Sequence, residues 1–254
     1  MGGVFIGKLA GADIQKARRL FENYDYYQAV IFSVFEGQYN GSVYTDNENS
    51  PTWALLQTPF LQHCIAGEPT EKCGTVLDDI IFTEILNEQS EKEIVVFFAS
   101  GEWNSVLEGI FTKRGGVSEL RKIFSFSEEN FREFRRLPIP EDVQAVAEKC
   151  KPAPNSRINT WSAKVLSKGK TVSHCDALMV GKGMAEIDIG TEEAFRGKGY
   201  ATIAAALLID RLLEEGLTPC WSTWPFRLES QHIAGKLGFV PQPDVTAWIW
   251  MEGM

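Results

Sequence analysis

The 254-residue sequence predicts an α+β protein in which helices and strands form packed layers. Two observations support this class. In the first half, β-branched and aromatic runs at 52–59 and 93–100 are typical of strands, and a helical pattern at 75–89 lies between them. In the second half, tight turns join three successive strands, after which the chain continues as helix, strand, helix and strand.

The other elements of the first 150 residues follow from the spacing of apolar residues. The stretch at 12–23 has helical spacing, and the short apolar run at 29–35 is followed by a turn. The stretch at 100–111 predicts a loop leading into a helix. Two further helices are predicted at 125–137 and 140–150, where the sequence PIP separates them.

A domain boundary is expected near residue 135. The alternation of helical and extended patterns gives way there to helical stretches separated by PIP, and a proline-containing stretch, KPAPNS, follows at 151–156. This divides the chain into an N-terminal α/β region, 1–135, and a second domain, 136–254. The second domain is predicted to contain strands at 158–166, 171–180 and 184–190, a helix at 199–215, a strand at 218–224, a helix at 229–239 and a strand at 245–251.

The composition excludes several classes of protein. A formal charge of −9 argues against sequence-independent nucleic-acid binding, which needs a basic surface, but is compatible with a cationic substrate. The N-terminal sequence lacks a signal-peptide pattern, and no apolar stretch is long enough to span a membrane. We therefore expect a cytoplasmic protein without a nucleic-acid or membrane partner.

Cysteine and histidine residues give no sign of a disulfide framework or a metal site. The five cysteines are dispersed, their number is odd, and they form no Cys-x-x-Cys pair. His63 and His174 each precede a cysteine, but neighbours on a strand point to opposite faces, which is poor ligand geometry. A reduced compartment and no metal are expected.

The stretch AFRGKGYAT (194–202) places two glycines and two cationic residues before an apolar helix. Glycine allows close approach of a ligand, and a helix N-terminus attracts anions, so this is a candidate phosphate site. A Walker loop is excluded, because its first glycine and its hydroxyl residue are replaced by Glu192 and Gly199. The dinucleotide fingerprint fails as well, since its third glycine falls on Thr202.

The hexapeptide RGKGYA (196–201) fits the signature Arg/Gln-x-x-Gly-x-Gly/Ala and resembles the GCN5-related N-acetyltransferases (GNAT). The strand AEIDIGT before it and the helix ESQHIAGKLGF after it stand in the order found in that family, and are similar to its RimJ/RimL-like and zwittermicin-resistance-like branches. The resemblance covers about residues 155–254. It implies a GNAT fold there, with a mixed, mainly antiparallel sheet flanked by helices, and leaves the N-terminal region as a possible degenerate acetyltransferase-like half.

The resemblance implies that acetyl-CoA is the co-substrate, with no metal. Backbone groups at the end of strand AEIDIGT would bind its pantetheine arm as an added strand, and the loop that follows would hold its pyrophosphate. The implied pantetheine-binding residues are Ile189, Gly190 and Thr191, and the implied pyrophosphate-binding residues are Arg196, Gly197, Lys198, Gly199, Tyr200, Ala201 and Thr202. Arg227 is a candidate for a further CoA phosphate, with a solvated surface arginine as the alternative.

Glu186 is the candidate general base for direct acetyl transfer to an amine. Strand alternation places Glu186 and Asp188 on one face, where two carboxylates would attract a cationic amine. The alternative is a solvent-facing polar stripe. Ser230 is the candidate contact for the CoA sulfur, with an ordinary residue of the first helical turn as the alternative.

One departure from the family concerns Ala234, which stands where many members carry a tyrosine that protonates the leaving thiolate. Two functions therefore stay open. The first is an N-acetyltransferase acting on a small-molecule amine, with a homodimer as a possible assembly. The second is a catalytically weak CoA-binding sensor or regulatory module. The tryptophans at 221, 224, 248 and 250, together with Phe226, are expected to serve mainly in core packing, with a place for some of them in an acceptor pocket as the alternative.

Overall fold

The computed structural model describes residues 7–134 and 136–253. They form two compact units, the first from residues 7–26, 39–121 and 245–253, the second from residues 27–38, 122–134 and 136–244. This division differs from the single boundary expected near residue 135. Arg135 itself lies outside the described residues. Residues 27–38 belong with the second unit and 245–253 with the first, because strand pairing and helix packing join segments that are distant in the sequence.

The strands, in chain order, are β1 (Gly7–Ala10), β2 (Ser42–Thr45), β3 (Trp53–Gln57), β4 (Gln62–Gly67), β5 (Glu93–Phe98), β6 (Val117–Phe126), β7 (Val143–Cys150), β8 (Thr160–Ser167), β9 (Lys170–Gly181), β10 (Met184–Thr191), β11 (Thr218–Thr223), β12 (Phe239–Pro241) and β13 (Val245–Met251). The α-helices are α1 (Gln28–Phe35), α2 (Cys73–Asp79), α3 (Leu86–Glu88), α4 (Glu102–Phe111), α5 (Glu128–Glu133), α6 (Tyr200–Glu214) and α7 (Leu228–Lys236).

The first unit is a sheet in the order β1-β2-β3-β4-β5-β13-β6, in which only β4 and β5 are parallel and β6 takes part through residues 117–121. The predicted strands at 52–59 and 93–100 are confirmed as β3 and β5. Helices α2 and α4 contribute side chains to a core that contains Trp53 and Trp103. The helix predicted at 12–23 is a 3₁₀ helix, Gly11–Phe21, in which every third or fourth residue is buried.

The helix predicted at 75–89 contains an irregular segment. Helix α2 passes at Ile80 into a π-helical turn, Ile80–Ile85, which continues as α3. Four side chains of this turn are buried, so the wider turn still presents its apolar residues to the core.

The second unit is a mixed, mainly antiparallel sheet in the order β6-β11-β10-β9-β8-β7, with β12 pairing with β6. Only β10 and β11 are parallel. Helix α6 packs on strands β7 to β11, and α1 packs on β9 and β10. Gly181 makes the approach of α1 possible, because a Cβ atom there would lie 2.2 Å from the backbone nitrogen of Ser33. The α+β fold class is therefore confirmed.

The helix predicted at 140–150 is wrong, because residues Val143–Cys150 form strand β7. Every residue of β7 pairs with β8, from Val143 opposite Ser167 to Cys150 opposite Thr160. The apolar residues of this stretch fit a two-residue period as well as a helical one, and pairing with β8 decides between them. Within residues 7–134 and 136–253, none of the helices has the length and apolar character that crossing a bilayer requires.

Candidate functional site

The loop before α6 contains two left-handed glycines. A short 3₁₀ turn, Glu193–Phe195, leads to Arg196 in an extended conformation, and Gly197 and Gly199 then adopt φ values of +76° and +81°. Residues with a side chain are strained at such φ values, so glycine is required at both positions for the chain to turn in this way. The sequence motif thus corresponds to a sharply turned loop that ends at the first residue of a helix.

The N-terminus of α6 presents backbone N–H groups without a capping side chain. Gly199 is the N-cap residue, and its carbonyl accepts the Ile203 N–H at 3.1 Å. The N–H groups of the first turn have no acceptor within the helix and lie at the positive end of its dipole. Arg196 and Lys198 are exposed beside them, so the region has the geometry and charge of an anion site.

Two side chains of the motif are less accessible than the sequence suggested. Tyr200 and Thr202 are both buried, and Tyr200 packs with the core around α6. Their backbone groups remain at the helix N-terminus. The acidic neighbour Glu192 is neutralised by an ion pair of 2.9 Å with Lys170.

Strands β10 and β11 pair only at their first residues. The parallel register joins Met184 through Glu186 to residues 218–220, and β11 then pairs with β6 while β10 continues along β9. In the described chain, residues 187–191 of β10 have no partner strand on the β11 side. Two strands that separate in this way leave backbone groups of one edge available to an extended ligand.

The free edge of β10 includes Ile189, Gly190 and Thr191. A Cβ atom at Gly190 would lie 2.5 Å from Cε1 of His174, so the ring of this histidine covers the position. Ser173 Oγ donates to the Gly190 carbonyl at 2.9 Å and lies 2.8 Å from the Thr191 hydroxyl. Side chains of β9 thus hold the end of β10 in place.

Glu186 lies where β10 and β11 separate. Ala185 and Ile187 belong to the core around α6, so Glu186 points to the opposite face of the sheet, as strand alternation predicted. It is not part of a solvent-facing stripe, because only 9% of its surface is exposed, whereas Asp188 is exposed. Ser222 Oγ on β11 donates to Glu186 Oε1 at 2.8 Å.

Tyr27 completes this group and was not among the residues predicted from the sequence. Its hydroxyl lies 3.1 Å from Ser222 Oγ, although the two residues are 195 positions apart in the chain. No local pattern marks Tyr27 as part of a site. Ser222 had a weak signal, since it lies two residues after Cys220, the parallel partner of Glu186, and therefore on the same face of the sheet.

Cys220, the parallel partner of Glu186, is a candidate for a covalent nucleophile, but its environment raises the pKa of its thiol. Burial raises the pKa of the Cys220 thiol well above its ordinary value, and the negative charge of Glu186 raises it further. A thiol is a poor nucleophile compared with a thiolate. The arrangement therefore favours direct transfer over an acyl-cysteine route.

The region around α7 holds the other predicted residues. The Trp221 indole N–H donates to Ser230 Oγ at 3.0 Å, so Ser230 is fixed by a buried tryptophan. Arg227 precedes α7 as its exposed N-cap residue, with Cζ 5.5 Å from the centre of the Phe226 ring. Ala234 is fully buried in the core around α6.

The expectation that the aromatic residues serve mainly in core packing is confirmed for two tryptophans and wrong for one phenylalanine. Trp221 and Trp248 are buried in the cores of their units, whereas Phe226 has 69% of its surface exposed. Among the side chains that the structure describes, no group of three or more histidine, cysteine, aspartate or glutamate residues could hold a metal ion.

The model of the GNAT acetyltransferase family matches residues 18–155 and 161–247 of the chain. A Bacillus subtilis protein named uncharacterized N-acetyltransferase YdfB is 26% identical over 240 residues, which cover 88% of this chain and 90% of that protein. The structure is similar to a GCN5-related N-acetyltransferase-like protein from Streptococcus suis, with a TM-score of 0.71, 23% identity, and coverage of 94% of this chain and all of that one. It is also similar to a tandem GNAT protein from the clavulanic acid biosynthesis pathway, with a TM-score of 0.63, 7% identity, and coverage of 98% and 99%.

Proposed function

Because the chain belongs to the GNAT acetyltransferase family and is an N-acetyltransferase, we propose that it transfers the acetyl group of acetyl-CoA to the amine of a small molecule. Acetyl-CoA is the co-substrate of the family. The observation that carries the proposal is the arrangement along the chain of a strand with an unpaired edge, a loop with two left-handed glycines and a helix N-terminus. These three features fit the thioester arm and the pyrophosphate of one ligand.

Residues of β10 and α6 would bind the co-substrate. The edge of β10 at Ile189, Gly190 and Thr191 would hold the pantetheine arm by main-chain hydrogen bonds. The N–H groups from Arg196 to Thr202 would hold the pyrophosphate, with positive charge from Arg196 and Lys198. Arg227 is exposed on the N-terminal side of α7, where it could bind a further phosphate of CoA.

Glu186 would act as the general base. When bound, acetyl-CoA supplies a thioester carbonyl that an amine can attack. Glu186 would take a proton from the substrate ammonium and thereby free its lone pair. Ser230, held by Trp221, would place its hydroxyl near the sulfur. The raised pKa of the Cys220 thiol supports transfer in a single step, without a covalent enzyme intermediate.

A small cationic amine is the acceptor that this site favours. Glu186 and Asp188 share the face of β10 beside the point where the strands separate, and the whole chain carries a net charge of −9. We also propose that the chain is related to the RimJ/RimL-like or zwittermicin-resistance-like branches of the family. The support is the sequence order of its strand, loop and helix motifs.

The first unit would be an acetyltransferase-like half that has lost its own site. The support is the similarity along almost the whole chain to a protein described as a tandem GNAT protein. This proposal predicts that one acetyl-CoA binds per chain. Isothermal titration calorimetry measures the ratio, and a value of two would contradict a degenerate half.

A catalytically weak CoA-binding module is the second candidate. The observation in its favour is Ala234, which is buried in the core where many family members have a tyrosine. The two candidates are separated by measuring acetyl-CoA affinity together with the release of free thiol against a panel of polyamines, aminoglycosides, amino-acid amides and peptides. Amine-dependent thiol release supports the enzyme. Tight binding without release by any amine of the panel supports the module.

A further inference from the structure

Tyr27 is connected to Glu186 through Ser222. Ser222 Oγ donates to Glu186 Oε1 at 2.8 Å, and Tyr27 Oη lies 3.1 Å from Ser222 Oγ. A serine hydroxyl has a single hydrogen atom to donate. Since Ser222 gives this hydrogen to the carboxylate, its oxygen must accept from Tyr27. Both hydroxyl hydrogens therefore point along the chain of hydrogen bonds towards Glu186.

The backbone of Tyr27 is strained. Its φ and ψ of +54° and +21° lie in the left-handed region, which bulky residues seldom adopt. The residue is the N-cap of α1, where its carbonyl accepts the Ile31 N–H at 3.0 Å. Small polar residues and glycine are preferred at such positions, and a buried tyrosine is not. Strain that persists at a buried side chain is typical of a functional position.

Three separate elements meet at this group. Glu186 comes from β10, Ser222 from β11 and Tyr27 from the start of α1, and all three belong to the second unit. Tyr27 has 6% of its surface exposed and Glu186 9%, while Ser222 between them is half-buried, so the hydrogen bonds are partly shielded from bulk water. Hydrogen bonds in such surroundings are stronger than in water, and successive donors polarise one another.

We propose that Tyr27 and Ser222 are positioning residues that hold Glu186 in its ionised form through the hydrogen bond at Oε1. The proposal rests on the proposed function, in which Glu186 is the base. In the proton transfer, an N–H bond of the ammonium breaks, an O–H bond forms at the Glu186 carboxylate, and the electron pair stays on nitrogen. Tyr27 and Ser222 neither gain nor lose a proton in this step.

The test uses the full-length chain and four site variants: Tyr27→Phe, Ser222→Ala, the combination of both, and Ser222→Thr. Tyr27→Phe removes only the hydroxyl group, and Ser222→Thr keeps a hydroxyl on a β-branched residue that suits a strand. Tyr24→Phe is the matched control, because Tyr24 is also a buried tyrosine, and its hydroxyl donates to the carbonyl of Ile65 at 2.8 Å in the first unit.

Two readouts are measured. The first is the pH profile of kcat/KM for the best acceptor amine, together with the KM for acetyl-CoA. The second is the titration of the Glu186 carboxyl carbon by NMR on protein with ¹³C-labelled glutamate, assigned with Glu186→Gln. This second readout does not depend on turnover.

We expect Ser222→Ala to lower kcat about tenfold and to move the Glu186 titration to higher pH by about one unit, because the ionised carboxylate loses a donor. Tyr27→Phe should have a smaller effect in the same direction, and no further effect in the Ser222→Ala background. Ser222→Thr should restore the wild-type profile, and the KM for acetyl-CoA should stay unchanged throughout. Tyr24→Phe should leave both readouts unchanged.

An unaltered Glu186 titration in Ser222→Ala would overturn the proposal, and so would an effect of Tyr27→Phe that adds in full to that of Ser222→Ala. Failure of the proposed function gives a different result. If the wild-type chain releases no thiol with any amine, or if Glu186→Gln keeps full turnover, catalysis by Glu186 is contradicted. The carboxyl titration still decides whether Tyr27 acts on Glu186 through Ser222.

Discussion

Ser222 Oγ donates a hydrogen bond of 2.8 Å to Glu186 Oε1, and the two residues lie on β11 and β10 at the point where these strands stop pairing. The separation of the strands and the fixed carboxylate therefore occur at one place in the sheet. A ligand that follows the free edge of β10 would have its reactive end beside Glu186. In the proposed mechanism, this position would place the general base next to the reactive end of the bound co-substrate.

Replacing Glu186 by glutamine should reduce turnover by about 10²–10⁴-fold, because the amide cannot accept the proton of the ammonium. The affinity for acetyl-CoA should stay the same, since the residues proposed to bind the co-substrate are elsewhere. Steady-state thiol release and calorimetry measure the two quantities.

Glu148→Gln is the control for Glu186→Gln, because Glu148 is an exposed strand carboxylate of the same unit that forms an ion pair with Lys164. It should leave turnover and affinity unchanged. If Glu186→Gln retains wild-type turnover at saturating acceptor, another group must be the base.

Replacing Gly199 by valine should abolish acetyl-CoA binding while the chain still folds. Gly199 has a φ of +81° directly before α6, so a β-branched side chain would force the loop and its N–H groups into another conformation. Calorimetry with acetyl-CoA measures binding, and circular dichroism monitors the fold.

Gly216→Val provides the matched control for Gly199→Val. Gly216 follows the other end of α6 with a φ of +72°, and a Cβ atom there would meet no other group within 4 Å. The substitution imposes a similar backbone strain but leaves the loop at the helix N-terminus unchanged, so affinity should be retained. Equal affinity in both variants would show that the loop does not hold the pyrophosphate.

The parts of the site that depend on local sequence could be predicted. The glycines of the loop and the start of α6 follow from residue types within a few positions of one another, and the face of β10 that carries Glu186 follows from alternation. The burial of Glu186 did not follow, because it depends on β11 and α1. Tyr27 could not be found at all, since its hydrogen bond to Ser222 joins residues 195 positions apart.

The same reason explains two of the differences between the predicted and the observed fold. Residues Val143–Cys150 have apolar spacing that suits a helix or a strand, and their eight pairs with β8 select the strand. The last strand, β13, follows α7 in the sequence but pairs with β5 and the first half of β6. Both outcomes depend on which strands pair with each other in the sheet. The spacing of residues along one segment carries no information about these partners.

Introducing the family's tyrosine at position 234 should destabilise the chain without increasing turnover. Ala234 is fully buried among the side chains around α6, so a phenol ring would overpack this core. We expect Ala234→Tyr to lower the free energy of unfolding by about 1–3 kcal/mol or more, measured by urea denaturation.

His232→Tyr is the control for Ala234→Tyr, because it places a tyrosine on an exposed position of the same helix. Its effect on the free energy of unfolding should stay within about 0.5 kcal/mol. A stable Ala234→Tyr chain with faster thiol release would contradict this expectation and show that position 234 reaches the reacting atoms.

His63 should make the stability of the first unit depend on pH. Its ring is fully buried, and burial lowers the pKa of His63 from 6.5 to about 3 in the folded chain. Below pH 6.5 the unfolded chain binds a proton that the folded chain does not, so the free energy of unfolding falls as the pH decreases from about 6.5 to about 3. Above pH 6.5 this contribution is constant.

The measurement for His63 is urea denaturation at pH 7.5, 6, 5 and 4, followed by tryptophan fluorescence, in the wild type and in His63→Gln. Nδ1 of the ring accepts the Thr58 N–H at 3.3 Å, and the glutamine side-chain oxygen can replace it as acceptor. We expect the wild type to lose about 3 kcal/mol more than His63→Gln between pH 7.5 and pH 4, because only the wild type gains a proton at this position on unfolding. Parallel curves for the two chains would contradict this prediction, because they would show that His63 takes up a proton in the folded chain as readily as in the unfolded chain.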